Sequence, residues 1–259
     1  MMRGLLTTVV YVNNKLKRLA IRLTKWTGKS RDYVHPKHLL GDDPEQYWYL
    51  AYCRDATVLD VGCGHGAHAL RAATRARMVL GLDRDPEAIA QARWHRAWRK
   101  VRNAVFYVAD CEAPLVDSPT EGYDLVLCLD ILEHVVKRDQ LLMEIRRVLK
   151  PDGVLLLAVP NRDTSWKRRL KRAGCFAYSD PDHKIEYTLD ELRIELERNG
   201  FVITRLHPSV YDTPLIGLID LIGSLSLSAY RRMTAYRREL AERYPEEAAG
   251  FYAACKVAR

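Results

Sequence analysis

Acidic and glycine residues near position 60 have the types and spacing that bind a ribose-containing ligand. Residues 57–66 read Thr-Val-Leu-Asp-Val-Gly-Cys-Gly-His-Gly. An apolar run with one acid, Asp60, is followed by glycines at alternate positions (Gly62, Gly64 and Gly66) and a helix-like stretch from 67 to 76. A strand, a tight turn and a helix in this order form the ligand crevice of open α/β sheets. The glycines let the chain turn sharply and a ligand approach the backbone closely.

A second acid follows the next apolar run. Residues 78–82 are apolar, and Asp83 comes directly after them, 23 residues beyond Asp60. A carboxylate at the tip of this strand can accept hydrogen bonds from both hydroxyls of a ribose. The alternative is a helix cap, but Asp85 and Pro86 fill the cap and first-turn positions of the next helix. The spacing therefore predicts that Asp83 is left for a ligand.

The spacing of the glycines distinguishes two kinds of ligand. Dinucleotide sites usually carry G-x-G-x-x-G and hold a pyrophosphate at a helix N-terminus. Here the pattern is G-x-G-x-G, and it is preceded by Asp60. An acid at this point repels a pyrophosphate but suits an ammonium or sulfonium group. The pattern disfavours a dehydrogenase.

Four segments in order resemble the class I S-adenosylmethionine-dependent methyltransferases of the small-molecule type. They are residues 58–66, 81–83, 123–128 (Tyr-Asp-Leu-Val-Leu-Cys) and 149–153 (Leu-Lys-Pro-Asp-Gly), and the resemblance spans about residues 45–206. It implies an α/β fold with a Rossmann-like, seven-stranded, mostly parallel sheet flanked by helices. It also implies S-adenosylmethionine as the cofactor, but it does not indicate the acceptor.

The resemblance assigns a place on the cofactor to individual residues. Gly62 and Gly64 are expected to face its methionine part, with Asp60 near the ammonium and Asp83 on the ribose. Asp110 is expected to accept from the adenine amino group, although it could instead be a turn residue at a strand end. The full predicted cofactor set is Asp60, Gly62, Cys63, Gly64, Gly66, Asp83, Arg84, Asp110, Cys111 and Asp130.

The catalytic candidates lie after the fourth strand and before a later helix. Methyl transfer from a sulfonium is an in-line displacement, so the protein must orient the reactants and, for a hydroxyl acceptor, remove a proton. His134 is a candidate base because imidazole titrates near neutral pH, and its alternative is a histidine that fixes the loop. Glu133 and His183 complete the predicted catalytic set.

The loop after the fourth strand also bears on the acceptor. Enzymes that methylate exocyclic amines of DNA bases carry Asn or Asp followed by Pro-Pro-aromatic there. This chain has Asp130-Ile131-Leu132-Glu133 instead. This departure disfavours base methylation and favours a small, lipid-linked or glycan-linked acceptor, methylated at oxygen.

The excess positive charge lies at the N-terminus. Residues 1–31 contain eight Lys and Arg and no acid, so the rest of the chain, with 33 bases and 33 acids, is neutral. Interleaved apolar residues make this segment typical of a helix at an anionic membrane surface, and too short and interrupted to span a membrane. The alternatives are a helix folded onto the protein, a disordered tail, or a nucleic-acid contact.

Other features leave several interpretations open. The apolar stretch 214–227 could cover an acceptor pocket, contact a second subunit of a homo-oligomer, or contact a membrane. The basic cluster at 162–172 could hold a phosphate or pyrophosphate of an acceptor, contact lipid headgroups, or form a solvated helix face. Trp94 and Trp98, four residues apart, are expected to pack into the core, and the alternative is that they stack on bases. The six cysteines lack metal-ligand spacing, so we expect no metal site, no disulfide and a reducing cytoplasmic location, with the tail at the inner membrane face.

Turn residues and periodicity predict the elements and the domain limits. Strands are expected over 57–61, 78–82, 105–109, 123–129, 154–159, 201–206 and 251–257, and helices over 44–53, 66–75, 86–100, 137–149, 188–199 and 229–244. The predicted domains are a basic extension (1–31), the methyltransferase core (32–206), an apolar and helical cap insertion (207–250) and a final core strand (251–259). The alternative functions are an RNA methyltransferase that uses the basic tail and a non-catalytic cofactor-binding protein.

Overall fold

The computed structural model describes residues 2–27, 47–113 and 120–258. The first part of the helix predicted over 44–53 and the end of the basic extension lie outside the described residues. From Tyr47 onward, the chain forms a short 3₁₀ helix, Trp48–Ala51, in place of the α-helix predicted there. None of the described helices is both long and apolar enough to cross a membrane.

A seven-stranded sheet forms the centre of the protein. Its strands are β1 (Thr57–Val61), β2 (Met78–Asp83), β3 (Ala104–Val108), β4 (Tyr123–Leu129), β5 (Leu149–Pro160), β6 (Phe201–Pro208) and β7 (Gly250–Val257). They lie in the order β3-β2-β1-β4-β5-β7-β6. The first five pair in parallel. This sheet confirms the predicted fold class.

The strand order changes direction between β1 and β4. β1 pairs with β2 on one side and with β4 on the other, with Asp60 opposite Gly81 and Leu127. Ligands of open α/β sheets bind beyond the carboxyl ends of the strands at such a reversal. β4 is apolar and buried along almost its whole length, as expected of a central parallel strand covered on both faces.

Eight α-helices accompany the sheet in the described part of the chain. They are α1 (Met2–Trp26), α2 (Ala67–Ala72), α3 (Pro86–Trp98), α4 (Arg138–Val148), α5 (Ser165–Arg172), α6 (Leu189–Arg198), α7 (Ile216–Leu225) and α8 (Leu227–Arg243). The predicted capping box is present: the Thr188 hydroxyl accepts from the amide of Glu191, and the Glu191 carboxylate accepts from the amide of Thr188.

Alternate residues of the strands pack into two apolar clusters. Leu59 and Val61 belong to one, while Val58 belongs to the other. Since successive side chains of a strand point to opposite faces, the clusters cover the two faces of the sheet. Asp60 shares the face of Val58, so the sheet places a carboxyl group at the end of an apolar layer.

Two further sequence-based predictions were wrong. β5 begins at Leu149, not at residue 154, because Leu149 pairs with Tyr123 before a register shift carries the ladder on to Val154. Trp94 and Trp98 are 56% and 62% exposed and stack on each other with nearly parallel rings 6.2 Å apart. The inward face of α3 is taken by other side chains, Ile89 and Ala92.

The chain divides into two compact units. The core unit contains residues 47–160, 182–207 and 251–259, and the helical unit contains the described parts of 1–46, 161–181 and 208–250. The core unit therefore contains the whole sheet except for Pro208 at the end of β6 and Gly250 at the start of β7. The domain limits predicted from the sequence stay a prediction.

The N-terminal helix is a folded part of the helical unit. α1 packs along α7, where the Asn13 side-chain oxygen accepts from the amide of Gly217 at 2.6 Å. A Cβ atom at Gly217 would lie 2.3 Å from the Asn13 carbonyl oxygen, so only glycine allows this approach. Ala20 and Thr24 on the same side of α1 are buried. The described part of the basic extension is therefore an ordered helix.

We expect Gly217→Ala to separate α1 from α7, because the added Cβ overlaps backbone and cannot be relieved by a rotamer change. Overpacking of this kind costs about 1–3 kcal/mol. The control is Gly4→Ala, where a Cβ meets no atom within 4 Å. Thermal unfolding and limited proteolysis should show a lower Tm and faster cleavage within α1 for Gly217→Ala alone. Equal behaviour of the two variants would contradict the packing.

Candidate active site

A cavity of about 610 Å³ lies at the carboxyl ends of β1 to β4 in the core unit. It is within the size range of small-ligand sites. The residues that line it come from the ends of these strands and from one later segment: Gly62, Asp83, Arg84, Ala109, Asp110, Cys111, Glu112, Asp130, Ile131, His134, Val135, Val136, Asp182 and Lys184. The cavity thus includes six of the ten predicted cofactor residues.

The turn after β1 is held tightly against the neighbouring strand ends. Gly62 has a φ of +71°, and its amide donates to the carbonyl of Leu82 at 2.8 Å. A Cβ atom there would lie 2.2 Å from the Cδ1 atom of Ile131. Cys63, Gly64 and Gly66 belong to the same turn but are not among the lining residues, and Gly66 is the N-cap residue of α2.

Asp83 is anchored by the backbone instead of standing free. Its two carboxylate oxygens accept from the amides of Gly64, at 2.8 Å, and Asp85, at 2.9 Å. Asp85 caps α3 as predicted, by accepting from the amide of Glu87 at 2.8 Å. A carboxylate oxygen can accept more than one hydrogen bond, so Asp83 keeps acceptor capacity toward the cavity. Because these two hydrogen bonds hold the carboxylate in one orientation, they also fix the direction of the lone pairs that remain for a ligand.

Asp60 is a buried acid that accepts a backbone hydrogen bond from Ala69. It is 2% exposed, and its Oδ2 atom has no hydrogen-bond partner among the described residues. Burial raises the pKa of Asp60 to about 8, and the nearby charge of Asp83 adds to the effect. Asp60 is not among the residues that line the cavity. A buried carboxyl oxygen without a partner is costly, so this position favours a ligand that brings a positive charge close to it.

The adenine end of the predicted site contains Asp110 and Cys111. Asp110 lines the cavity and also acts as a turn residue, because its Oδ1 atom accepts from the amide of Glu112 at 2.9 Å. Burial, aided by Asp110, raises the pKa of the Cys111 thiol to about 11, so it stays protonated at neutral pH. The Glu112 carboxylate accepts from the amides of Val136 and Lys137 and holds the loop that follows β4. The sequence analysis missed this role of Glu112.

Asp130 is strained at the end of β4. Its φ of +57° is a left-handed conformation that costs about 1–2 kcal/mol for a residue with a side chain. The backbone remains anchored, since the Asp130 amide donates to the carbonyl of Ala158 at 3.0 Å. Strained residues of this kind concentrate at functional sites. Here the left-handed backbone of Asp130 directs the chain out of β4 and into the wall of the cavity.

The predicted catalytic residues come together beside the cavity. The rings of His134 and His183 meet edge to face with centroids 4.6 Å apart, and His134 lines the cavity. The His183 Nδ1 atom lies 2.7 Å from the carboxylate of Glu186, which is fully buried. Burial raises the pKa of Glu133 to about 8, with further contributions from the charges of Asp130 and Glu186. Sequence analysis missed Glu186, although it lies three residues after His183.

The same group has the composition of a cation site. One ligand atom each from Glu133, His134 and His183 lie within 4.8 Å of one another. A carboxylate with two imidazoles suits a divalent transition-metal ion. We expected no metal from the sequence, and the spacing of Glu133 and His134 to His183 gave no signal because the two segments are 49 residues apart.

Comparison with known proteins identifies the family. A family model described as a methyltransferase domain matches residues 54–200, which is more than half of the chain and includes every residue that lines the cavity. The chain belongs to the class I S-adenosylmethionine-dependent methyltransferases. Its cofactor is S-adenosylmethionine. The unpartnered carboxyl oxygen of Asp60 and the glycine turn fit this cation-bearing cofactor.

Two curated relatives and one solved structure illustrate the similarity. A probable S-adenosylmethionine-dependent methyltransferase of Mycolicibacterium smegmatis is 32% identical over 169 residues, which is 61% of each chain. The ubiquinone biosynthesis O-methyltransferase of Neisseria meningitidis is 30% identical over 153 residues, 58% of this chain and 61% of the relative. The matched region thus spans about three fifths of these relatives. Magnesium protoporphyrin IX methyltransferase of Synechocystis, with bound S-adenosylhomocysteine, shares the fold with a TM-score of 0.52 and 22% identity over 64% of this chain and 74% of that one.

We expect Asp83→Asn in the methyltransferase to weaken the binding of S-adenosylhomocysteine about tenfold, because a charged acceptor for the ribose is lost. Asp85→Asn is the matched control, since asparagine caps a helix as well as aspartate does. Titration calorimetry on both variants gives the comparison. Equal affinities would show that Asp83 serves the turn but not the ribose.

We also expect Asp60 to link cofactor binding to pH. Between about pH 4 and pH 8, the folded chain keeps a proton on Asp60 that the unfolded chain has lost, so the free energy of unfolding falls as pH rises through this window. A bound cation favours the carboxylate, so affinity for S-adenosylmethionine should rise toward pH 8. Asp60→Asn should remove both dependences, and Asp190→Asn at an exposed site should leave them. Thermal unfolding and calorimetry at several pH values measure them, and an unchanged pH dependence in Asp60→Asn would refute the link.

Proposed function

We propose that the enzyme methylates a hydroxyl oxygen of a small acceptor, either free or linked to a lipid or glycan, and that His134 takes the hydroxyl proton. This proposal rests on the position of His134 on the cavity wall, with His183 behind it and Glu186 behind His183. S-adenosylmethionine supplies the activated methyl group. The protein's own part is to orient the acceptor and to remove its proton.

The row of two histidines and a glutamate suits proton removal. A buried carboxylate that accepts from one ring nitrogen fixes the orientation and the tautomer of a histidine. Glu186 can hold His183 in this way, because its carboxylate is 2.7 Å from Nδ1 and is fully buried. His183 in turn packs against the ring of His134. Glu133 lies beside them, and the amide of Lys184 donates to its carbonyl at 2.7 Å, which ties the two segments together.

The charge of the cavity bears on the type of acceptor. Five acids line it, and they face two bases, Arg84 and Lys184; the acids are Asp83, Asp110, Glu112, Asp130 and Asp182. Such a wall repels the phosphates of a nucleic acid. It therefore supports a small neutral or cationic acceptor over the alternative of RNA. The O-methyltransferase name of the Neisseria relative supports oxygen as the accepting atom.

The acceptor class can be found by transfer of label. The purified 259-residue chain would be incubated with methyl-labelled S-adenosylmethionine and a native cell extract. Label would then be counted in the organic, aqueous small-molecule, nucleic-acid and protein fractions, against a control without enzyme. Label in the organic or the aqueous small-molecule fraction would identify the acceptor class. Loss of that label under mild conditions would indicate that the methyl group was held in an ester. Label confined to nucleic acid would support the RNA alternative and overturn the proposal.

We expect His134→Asn and Glu186→Gln to lower kcat strongly while cofactor affinity stays unchanged. General-base catalysis contributes about 10²–10⁴-fold to a rate, and the loss of an orienting partner removes part of that gain. His207→Asn, at a histidine packed against Trp48, is the control. Assays with a chelator and with added divalent ions separate a base from a metal ligand. Wild-type turnover by His134→Asn would contradict the assignment of His134 as the base. Activity that requires a metal ion would show instead that His134 is a metal ligand.

A further inference from the structure

The exposed side of α1 carries an apolar stripe. Its members recur every seven residues and are 43% to 82% exposed: Leu5, Val12, Leu19 and Trp26. Seven residues are nearly two helical turns, so these side chains lie along one line with a small drift. The stripe runs the length of the helix, about 25 residues. Large apolar side chains arranged in this way on one helix indicate a contact surface.

Basic residues border the stripe on one side. Lys15 and Arg22 each follow a stripe residue by three positions, which places them next to it on the helix surface. Arg18 and Lys25 lie further around on the same side. The helix contains no acid. The surface thus combines a line of apolar side chains with a one-signed positive border.

Among the described residues of the helical unit, α1 packs through a side other than this stripe. α1 packs on α7 through a different side, which includes Asn13 and the buried residues Ala20 and Thr24. α7 also exposes apolar side chains, Leu218 and Leu225, and its single charged residue, Asp220, is buried. The pair of helices is therefore held together by small and polar contacts, while large apolar side chains face outward.

We propose that α1 docks lengthwise on an anionic lipid bilayer through this stripe. The four apolar side chains would enter the boundary between headgroups and acyl chains, and the bordering lysines and arginines would contact lipid phosphates. Trp26 fits the interface because its ring is apolar and its indole N–H is polar. This surface lies outside residues 54–200 and does not depend on the acceptor.

The charge and the apolar stripe together select a bilayer over other partners. A nucleic acid would account for the basic border but would leave the apolar stripe in water. A second copy of α1 laid along the stripe would bring two one-signed basic borders close together, and like charges repel. An anionic bilayer satisfies both parts of the surface.

Flotation of the 259-residue chain with vesicles tests the proposal. Vesicles of phosphatidylcholine alone are compared with vesicles that also contain phosphatidylglycerol, at low and high salt. We expect binding to the mixed vesicles at least tenfold above binding to the neutral ones, weakened by salt, with a blue shift of tryptophan emission. Trp26→Phe should abolish the shift, and Trp98→Phe, at a comparably exposed position, should leave it.

Paired variants separate the two parts of the surface. Leu5→Ser with Leu19→Ser, and separately Lys15→Glu with Arg22→Glu, should each lower mixed-vesicle binding at least tenfold. The control pair is Met143→Ser with Ile194→Ser, at residues of similar exposure in the core unit. Binding of S-adenosylhomocysteine, measured on every variant, reports folding and tests the cofactor site separately.

Three outcomes would overturn the proposal. One is equal binding to neutral and anionic vesicles, or none to either. A second is sedimentation that shows a dimer which the stripe variants dissociate, because the stripe would then bind a second copy. The third is salt-sensitive binding of RNA that the charge variants lose while the serine variants keep it. None of these outcomes depends on whether the enzyme turns over.

Discussion

The parallel pairing of β1 with β2 on one side and β4 on the other is the constraint on which the site depends. It brings the carboxyl ends of three strands together at the point where the strand order reverses. Gly62 then turns the chain over the end of β2, where its amide donates to Leu82, and Asp83 fastens the turn by accepting from Gly64. Without this pairing, Leu82 and Asp83 at the end of β2 would not lie within hydrogen-bond distance of the glycine turn.

The site carries unfavourable features that the surrounding sheet holds in place. Asp60 is buried with its pKa raised to about 8, and Asp130 has a left-handed backbone at the cavity wall. Both lie at the ends of central strands whose apolar clusters cover the two faces of the sheet. A buried acid that destabilises the free chain can become favourable when a cation binds beside it, because the ligand supplies the missing charge. Features that cost stability in the empty enzyme thus favour the cofactor.

The sequence predicted the parts of the fold that depend on local pattern. β1 and β4 have the predicted limits, because each is a buried apolar run bounded by turn residues. Asp85 and Thr188 cap α3 and α6, as predicted. The start of β5 was missed, because pairing with Tyr123 outweighs the turn character of Pro151 and Gly153. Trp94 and Trp98 were misplaced, since spacing shows that two residues share a helix face but not which face is inward.

Long-range contacts explain what the sequence could not show at the site. Glu112 holds the loop after β4 from another strand end, and the two histidines meet across 49 residues of chain. Neither arrangement has a local signature. The anchoring of Asp83 by two amides was also hidden, because it depends on the close approach of the glycine turn to the end of β2.

A crystal structure of the 259-residue chain with S-adenosylhomocysteine tests the central claim most directly. The account predicts ribose hydroxyls within hydrogen-bond distance of Asp83, the amino group of the methionine part near Asp60, and the adenine beside Asp110 and Cys111. The sulfur should then face the side of the cavity that His134 lines. A ligand bound elsewhere, or one in this cavity with no contact between its ribose and Asp83, would contradict the account.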